Sequence, residues 1–306
     1  MKILVTGGAG FIASQIADAF INVGHEVHIL DNLSTGFEKN INPKAKFIKS
    51  DISSPSIHEL FSKEKYDVVN HHAAQIDVRK SVADPVFDAN TNILGTINLL
   101  QACIKTGVKK FMFASTGGAV YGEQEYFPAD ENHPTNPVSP YGITKLAIEK
   151  YLYFYKIEYG LNHTILRYAN VYGPRQNPFG EAGVVAIFAN KLLKNENPVI
   201  NGDGKQTRDY VFVEDVVKAN VITLSSEASD IFNVGTGKET SVNDLFTKLN
   251  SNAGNKAEEK HGLAPKGEQM RSVITSDKLY KKFNWKPSTN IDEGLKKTFK
   301  SFKSKS

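Results

Sequence analysis

The tightest constraint on the fold lies at the start of the chain. A short apolar run, KILVT, breaks into the glycine cluster GGAG and then into FIAS, where a helical pattern begins at Phe11. Gly7, Gly8 and Gly10 let the backbone turn tightly and adopt dihedrals closed to other residues. Such a turn between a buried strand and a helix aims main-chain amides and a helix N-terminus at one spot, which suits an anion. The pattern ends on Ala13 instead of glycine, an allowed variant that slightly thickens the helix–strand contact. A glycine cluster alone is weak; its place between a first strand and a helix marks it as the phosphate turn of a dinucleotide-binding unit.

The rest of the chain supplies the matching fold. EVHILD, AKFIKSD, YDVVNHHAA, KKFMFAS and NHTILRY each fit a buried strand, and helix-length segments separate most of them. The alternation predicts an α/β fold: a Rossmann doubly wound parallel sheet with helices on both faces, plus a smaller α/β substrate-binding domain. A chain of 306 residues exceeds the usual single-domain size. The rhythm breaks after about Val171, at NVYGPRQNPFGEAG. The first domain is therefore assigned to 1–170 with a returning segment near 210–234, and the second to 171–209 and 235–306.

Composition excludes several classes. A hydrophobic content of 40% and a charged content of 23% are ordinary for a soluble globular protein. The net charge of +4 owes much to the lysine-rich end GLKKTFKSFKSKS, which reads as a final amphipathic helix with a solvated end and not as a nucleic-acid arm. Cys103 is the only cysteine, so no intrachain disulfide forms and a reducing, cytoplasmic location is expected. No stretch is long and apolar enough to span a membrane. The opening MKILVTGG suits a first strand and not a signal peptide.

Asp31, about twenty residues after the glycine turn, ends the second apolar run. A carboxylate there can accept both adenosine ribose hydroxyls and would repel a 2′-phosphate, so NAD is expected over NADP. Asp51 ends the third run and could contact the adenine or serve a turn. HHAAQ, ending the fourth, carries two alanines small enough for a cofactor to pass over the sheet edge. His71 and His72 invite a metal reading, but neighbours on a strand point to opposite faces and no nearby carboxylate or thiol completes a site; no metal is expected.

SPYGITK carries the chemistry. Proline at 140 suits a helix start, and the following apolar spacing stacks Tyr141 and Lys145 on one face. A lysine ammonium beside a phenol favours the phenolate and brings tyrosine toward the working range of a general base. A hydroxyl to hold a substrate oxygen is available in FASTGGAVYG, where the fifth strand ends: Ser115 or Thr116.

Taken in order, TGGAGFIAS, DN at 31 and 32, HHAAQ, NTNILGT, STGGAVYG, PYGITK, NVYGPRQ and GDGKQTRDYVFVEDV resemble the extended short-chain dehydrogenase/reductases over essentially the whole chain, and within them the UDP-hexose 4-epimerases. The resemblance implies NAD contacts from Gly7, Gly10, Phe11 and Ile12; from Asp31, Asn32, Ser34, Thr35 and Gly36; from Asp51 and Ile52; from His72, Ala73, Ala74, Gln75 and Asn92; and from Tyr141 and Lys145. It implies a 4-epimerase in which Tyr141 takes the proton of the sugar 4-hydroxyl as C4 is oxidised, and hydride then returns to the opposite face. Lys145 would bind the nicotinamide ribose, and Thr116 the 4-oxygen.

STGGAVYG is one residue longer than the related SSATVYG and STDEVYG loops, so counting back from Tyr121 puts Gly117 at the hydroxyl position. The extra residue is placed among the glycines, which assigns Thr116 ahead of Ser115. Related 4,6-dehydratases carry Asp-Glu after the threonine; Gly117 and Gly118 stand here, so dehydration is not expected.

For the UDP-sugar, the resemblance implies contacts from Asn170, Val184, Arg208, Glu268, Arg271 and Ser272. The family's arginine ahead of a Gly-Asp pair is missing from APKGEQMRS; Glu268 stands for the aspartate, and Lys266 or Arg271 for the arginine. Counting back from KKFNW aligns Ser272 with a gate beside the hexose C2 group. A small residue there resembles enzymes that accept N-acetylated sugars, so UDP-GlcNAc and UDP-GalNAc are expected alongside UDP-Glc and UDP-Gal.

A second reading is another nucleotide-sugar enzyme of the family, such as a UDP-glucuronate 4-epimerase or a net dehydrogenase. A non-catalytic NAD sensor would lose Tyr141 or Lys145, and both are present. The segments FDANTNILGTINLLQACIKTG and YGITKLAIEKYLYFYKIEYG resemble helices that pair two subunits, so a homodimer is expected. Tyr151, Phe154 and Tyr155 fit that interface or packing on the sheet.

Overall fold

The computed structural model describes residues 1–179, 183–264 and 269–304. The apolar runs form β1 (Lys2–Thr6), β2 (Glu26–Asp31), β3 (Lys46–Lys49), β4 (Val68–His71), β5 (Lys110–Thr116) and β6 (Asn162–Tyr168). Between them lie α1 (Phe11–Asn22), α2 (Ser56–Glu64), α3 (Val78–Ala83), α4 (Pro85–Ala89), α5 (Gly95–Thr106) and α6 (Pro140–Tyr159). After β6 come β7 (Asn170–Tyr172), α7 (Val184–Leu193), β8 (Val199–Asn201), β9 (Thr207–Phe212), α8 (Val213–Thr223) and β10 (Asp230–Val234). The last elements are β11 (Glu239–Ser241), α9 (Val242–Asn252), β12 (Lys260–Gly262), β13 (Arg271–Ser272), α10 (Asp277–Phe283) and α11 (Ile291–Lys303).

Helix starts follow their caps. Asp77, Asp84 and Ser139 accept from the amides of Lys80, Phe87 and Gly142, and proline follows both Asp84 and Ser139. α5 and α6 stop at Gly107 and Gly160, whose φ values of 75° and 72° suit glycine.

The seven-stranded sheet runs β10-β6-β5-β4-β1-β2-β3, with β2, β1, β4 and β5 in parallel register. The chain winds outward from β1 to β3, then crosses back to β4 on the other side of β1. This reversal puts the switch point of the doubly wound sheet at the carboxyl ends of β1 and β4, where such folds hold ligands. Both faces are covered. Along β1, Leu4 joins Val69, Phe111, Leu99 and Leu152 on one side, while Ile3 and Val5 join Ile29, Ile16 and Phe20 on the other. Burying one such side chain completely is worth about 1.5–3 kcal/mol, so coverage of both faces is what holds the strand in the middle.

The chain divides into two compact units: Met1–Gly122, Thr135–Arg167 and Val217–Phe232 form the first; Glu123–Pro134, Tyr168–Val216 and Asn233–Ser306 form the second. The segment 123–134, placed with the first domain on sequence grounds, groups with the second. Its tie is backbone pairing: Ala129 N donates to Val273 O and Thr275 N donates to Ala129 O, both at 2.9 Å. A single bridged residue between loops carries no periodic pattern by which sequence could reveal it.

In the second unit β9 is the hub. It pairs with β11 antiparallel and with β7 and β13 in parallel. Phe188, Leu245, Phe246, Leu295 and Phe299 build its core, so α11 buries Leu295 and Phe299 and exposes its lysines, as the amphipathic reading requires.

Candidate active site

The glycine turn is shaped by contacts a side chain would fill. Gly7 has φ 69°, and a Cβ there would stand 2.7 Å from Ala73 N, so the loop after β1 lies directly against the loop after β4. Gly7 N donates to Leu30 O at 2.8 Å, and Gly10 N donates to Gly7 O at 2.9 Å. Gly10, the N-cap of α1, makes no side-chain cap bond, which leaves the helix's N-terminal dipole to face a ligand. Asp31, 7% exposed, sits at this turn: its carboxylate accepts from Ala9 N at 3.0 Å and Leu33 N at 2.7 Å.

Gly36 packs on Ala9 with no room for a Cβ, and Asn32, Ser34 and Thr35 are exposed beside it. Asp51 accepts from Ser53 and Asn32; partial burial raises its carboxyl, but these hydrogen bonds hold it below the usual range. Ile52 is buried under Gly95. Phe11 and Ile12, half-buried, open α1, and Ala74 and Gln75 follow Ala73. A cradle only glycine permits, a free helix N-terminus and a carboxylate on the neighbouring strand end fit a dinucleotide.

Asn92 lies in a π-helical turn, Asn90–Leu94, a widening common at functional positions. Its amide bonds both backbone groups of Gln75 (2.8 and 3.0 Å) and the buried carboxylate of Asp88 (3.1 Å). His71 is a core residue: its ring nitrogens meet Thr6 Oγ1 at 2.7 Å and Thr96 Oγ1 at 2.8 Å, and burial pushes its pKa well down. Among the described residues no group of three metal-ligating side chains occurs.

Tyr141 and Lys145 share one face of α6, with the Lys145 ammonium 5.8 Å from the Tyr141 ring centroid. Lys145 is 4% exposed; its Nζ donates to Ala114 O at 3.0 Å and lies 4.8 Å from the Phe113 ring. Burial pulls its pKa down to about 8, against the upward pull of Asp88 and Glu149. Tyr141 N is anchored by Ser81 Oγ at 3.2 Å. The two hydroxyls ending β5 differ. Ser115, 4% exposed, donates to Glu149 Oε1 at 2.6 Å, whereas Thr116 is half-buried at the strand's last position.

Four residues expected to hold a nucleotide sugar fall on the β9 sheet. Ser272 is in register with Arg208, Arg271 with Thr207, and Asn170 with Tyr210. Arg208 donates to Thr207 O at 2.8 Å and Gln269 O at 2.6 Å. Arg271 makes two 2.7 Å bonds to Glu239 and stacks 3.9 Å from the Phe127 ring centroid. Ser272 is buried, 4% exposed; Asn170 is exposed; Val184 is the first residue of α7. Glu268 and Lys266 lie outside the described residues.

Sequence reasoning missed Asp88, Glu149 and Ser81. Glu149 could have been found by extending the Tyr141–Lys145 stripe one more turn. On the outer face of α6, Tyr151, Tyr153, Phe154 and Ile157 are exposed, whereas Tyr155 turns inward at 2% exposure and joins the first unit's core.

Residues 3–235 match the family model described as the NAD dependent epimerase/dehydratase family. The UDP-glucose 4-epimerase of Mycolicibacterium smegmatis is 42% identical over 312 residues, covering 100% of both chains. The crystal structure of UDP-glucose 4-epimerase with UDP-glucose from Thermotoga maritima superposes with a TM-score of 0.98 at 46% identity, covering 100% of this chain and 99% of that one. UDP-N-acetylglucosamine 4-epimerase from Methanobrevibacter ruminantium, in complex with UDP-N-acetylmuramic acid, superposes with a TM-score of 0.94 at 35% identity, covering 100% and 99%.

Proposed function

The chain belongs to the NAD dependent epimerase/dehydratase family, and on that premise we propose that it is a UDP-hexose 4-epimerase that inverts C4 through a transient 4-keto sugar. The observation that carries this reading is the buried Lys145 ammonium 5.8 Å from the Tyr141 ring on one helix face. A cation there favours the phenolate, so Tyr141 can take the proton of the 4-hydroxyl and later return it. Thr116 donates to or accepts from the same oxygen, because the Ser115 hydroxyl is committed to Glu149. Lys145 also holds the nicotinamide ribose. NAD, held by the glycine turn and Asp31, supplies the hydride acceptor and donor for C4 when bound.

Asn170, Arg208, Arg271 and Ser272 bind the UDP-sugar, with Val184 and Glu268. Arg271 stands in for the missing diphosphate arginine by exchanging Glu239 for phosphate, a like-for-like swap of one bidentate anion for another. Incubating the purified protein with UDP-sugars and no added NAD tests the reaction. Interconversion without release of NADH supports an epimerase; stoichiometric NADH would point to a net dehydrogenase.

The sugar range includes UDP-GlcNAc and UDP-GalNAc, because serine at 272 leaves the volume that an acetamido group needs. The solved N-acetylglucosamine relative supports this. Ser272→Tyr is expected to cut turnover of the N-acetylated pair by 10-fold or more, on the order of one lost hydrophobic-pocket discrimination, and to spare UDP-Glc and UDP-Gal. Equal losses on both pairs would contradict the gate.

A homodimer through α5 and α6 accounts for the exposed Tyr153, Phe154 and Ile157. Phe154→Glu should yield a monomer by sedimentation if those aromatics meet a second copy, and an unchanged sedimentation coefficient would remove the proposal.

A further inference from the structure

In line with Tyr141 and Lys145, α6 carries a buried carboxylate. Glu149, one turn beyond Lys145, is 3% exposed and is clasped on every side within the first unit. Arg167 of β6 donates to it through Nε (3.0 Å to Oε1) and Nη2 (2.6 Å to Oε2). The remaining Nη1 of Arg167 donates to the Tyr121 hydroxyl at 3.0 Å, in the loop that follows β5. Ser115 Oγ completes the set at 2.6 Å. One residue before Ser115, Ala114 O accepts from Lys145; one residue after it stands Thr116. The end of β5 is thus tied to α6 at two successive residues, Ala114 by Lys145 and Ser115 by Glu149.

We propose that Glu149 is a positioning residue for the reaction: held rigid by Arg167, it grips Ser115 and fixes the end of β5, with Thr116, against the helix that carries Tyr141 and Lys145. This rests on the reading that Thr116, Tyr141 and Lys145 act on one substrate oxygen. A carboxylate in a bidentate arginine clasp has a defined orientation. Its short bond to Ser115 therefore transmits that orientation to the strand end. A misplacement of about 1 Å at a reacting group costs on the order of 100-fold in rate, so the grip is felt in kcat.

The same carboxylate acts on Lys145 by charge. Among the described residues, the ionisable groups around that ammonium are Asp88 from α4, Tyr141 and Glu149 from α6 itself, His71 at the end of β4 and His72 just after it. Asp88, 0% exposed, is satisfied by Gln75, Asn92 and Thr144, so it stays in place when Glu149 is changed. Removing Glu149 takes away one of two anions that keep Lys145 a cation. Its proton is then lost at lower pH, and with it the support for the Tyr141 phenolate.

The test compares the parent with Glu149→Gln and with the double variant Glu149→Gln/Arg167→Met, which leaves no buried charge unpaired and serves if the single change prevents folding. Folded protein, verified by thermal unfolding, is read three ways: kcat and KM against pH, and the titration of Lys145 by NMR of lysine labelled at Cε, its signal identified by its loss in Lys145→Met. The expected result is a kcat lower by roughly 10- to 100-fold with KM within about twofold. The alkaline limb and the Lys145 titration, near pH 8 in the parent, should both move down by about one pH unit. An unmoved Lys145 titration and alkaline limb in a folded variant would overturn the proposal, whatever happens to stability. A parent without epimerase activity would instead refute the function above, while the Lys145 titration would still decide the role of Glu149.

Discussion

Tyr141→Phe is expected to lower kcat by roughly 100- to 10,000-fold, with the protein still folded and still retaining NAD. The aromatic ring stays, so the helix face and its contact with Lys145 persist; only the hydroxyl proposed to exchange the substrate proton is lost. The backbone anchor to Ser81 is equally untouched, because it uses the Tyr141 amide. KM for the UDP-sugar should change little, since the proton transfer belongs to the transition state and the ground-state grip is proposed to lie on residues such as Arg208 and Ser272. Steady-state kinetics beside a cofactor-content measurement checks this. Residual turnover within tenfold of the parent would mean that another group moves the proton.

Lys145→Met should abolish turnover to a similar degree and yet stabilise the fold. The ammonium is buried, and burial brings it from the usual 10.5 to about 8 despite Asp88 and Glu149. The folded state therefore disfavours the charged form, by about 1.4 kcal/mol for each pH unit of that difference. Below pH 8 the lysine is charged in both states and the penalty is complete. Between about 8 and 10.5 the unfolded chain binds more protons than the folded one, so the parent gains stability as pH rises. Methionine removes the penalty but forgoes the bond to Ala114 O. A net gain of about 2 kcal/mol near pH 7 is expected, shrinking toward pH 10. A structural lysine would give the opposite sign, so a lower melting temperature for the variant at pH 7 would contradict the assignment. Destabilising groups kept at such a site are a recurrent cost of activity.

The sheet was legible because its inner strands are apolar runs buried on both faces and separated by helix-length segments. Lys2–Thr6 through Asn162–Tyr168 appear where the β-branched runs lie. Tyr141 and Lys145 were legible because both sit on one helix, where a spacing of four fixes their relation before any tertiary contact. For the hydroxyl, loop length put Thr116 ahead of Ser115, but sequence cannot say what each of the two neighbours bonds. The structure separates them, giving Ser115 to Glu149 at 2.6 Å. The bonds of Glu149 and Asp88 were invisible for a related reason, although the helical stripe of α6 reaches Glu149. Their partners lie on other elements, so no local period links Glu149 to Arg167 or Asp88 to Thr144. Tyr155 shows the same limit from the apolar side: an aromatic-rich helix has two apolar faces here, and only packing tells the inner from the outer.

The central claim is that C4 is oxidised and reduced within one site, with Tyr141 moving the proton. UDP-glucose carrying deuterium at C4, incubated with the purified protein and no added cofactor, tests it most directly. The expected product is UDP-galactose with the deuterium retained at C4 and no NADH in solution. Loss of the label to solvent, or its accumulation in released NADH, would contradict it.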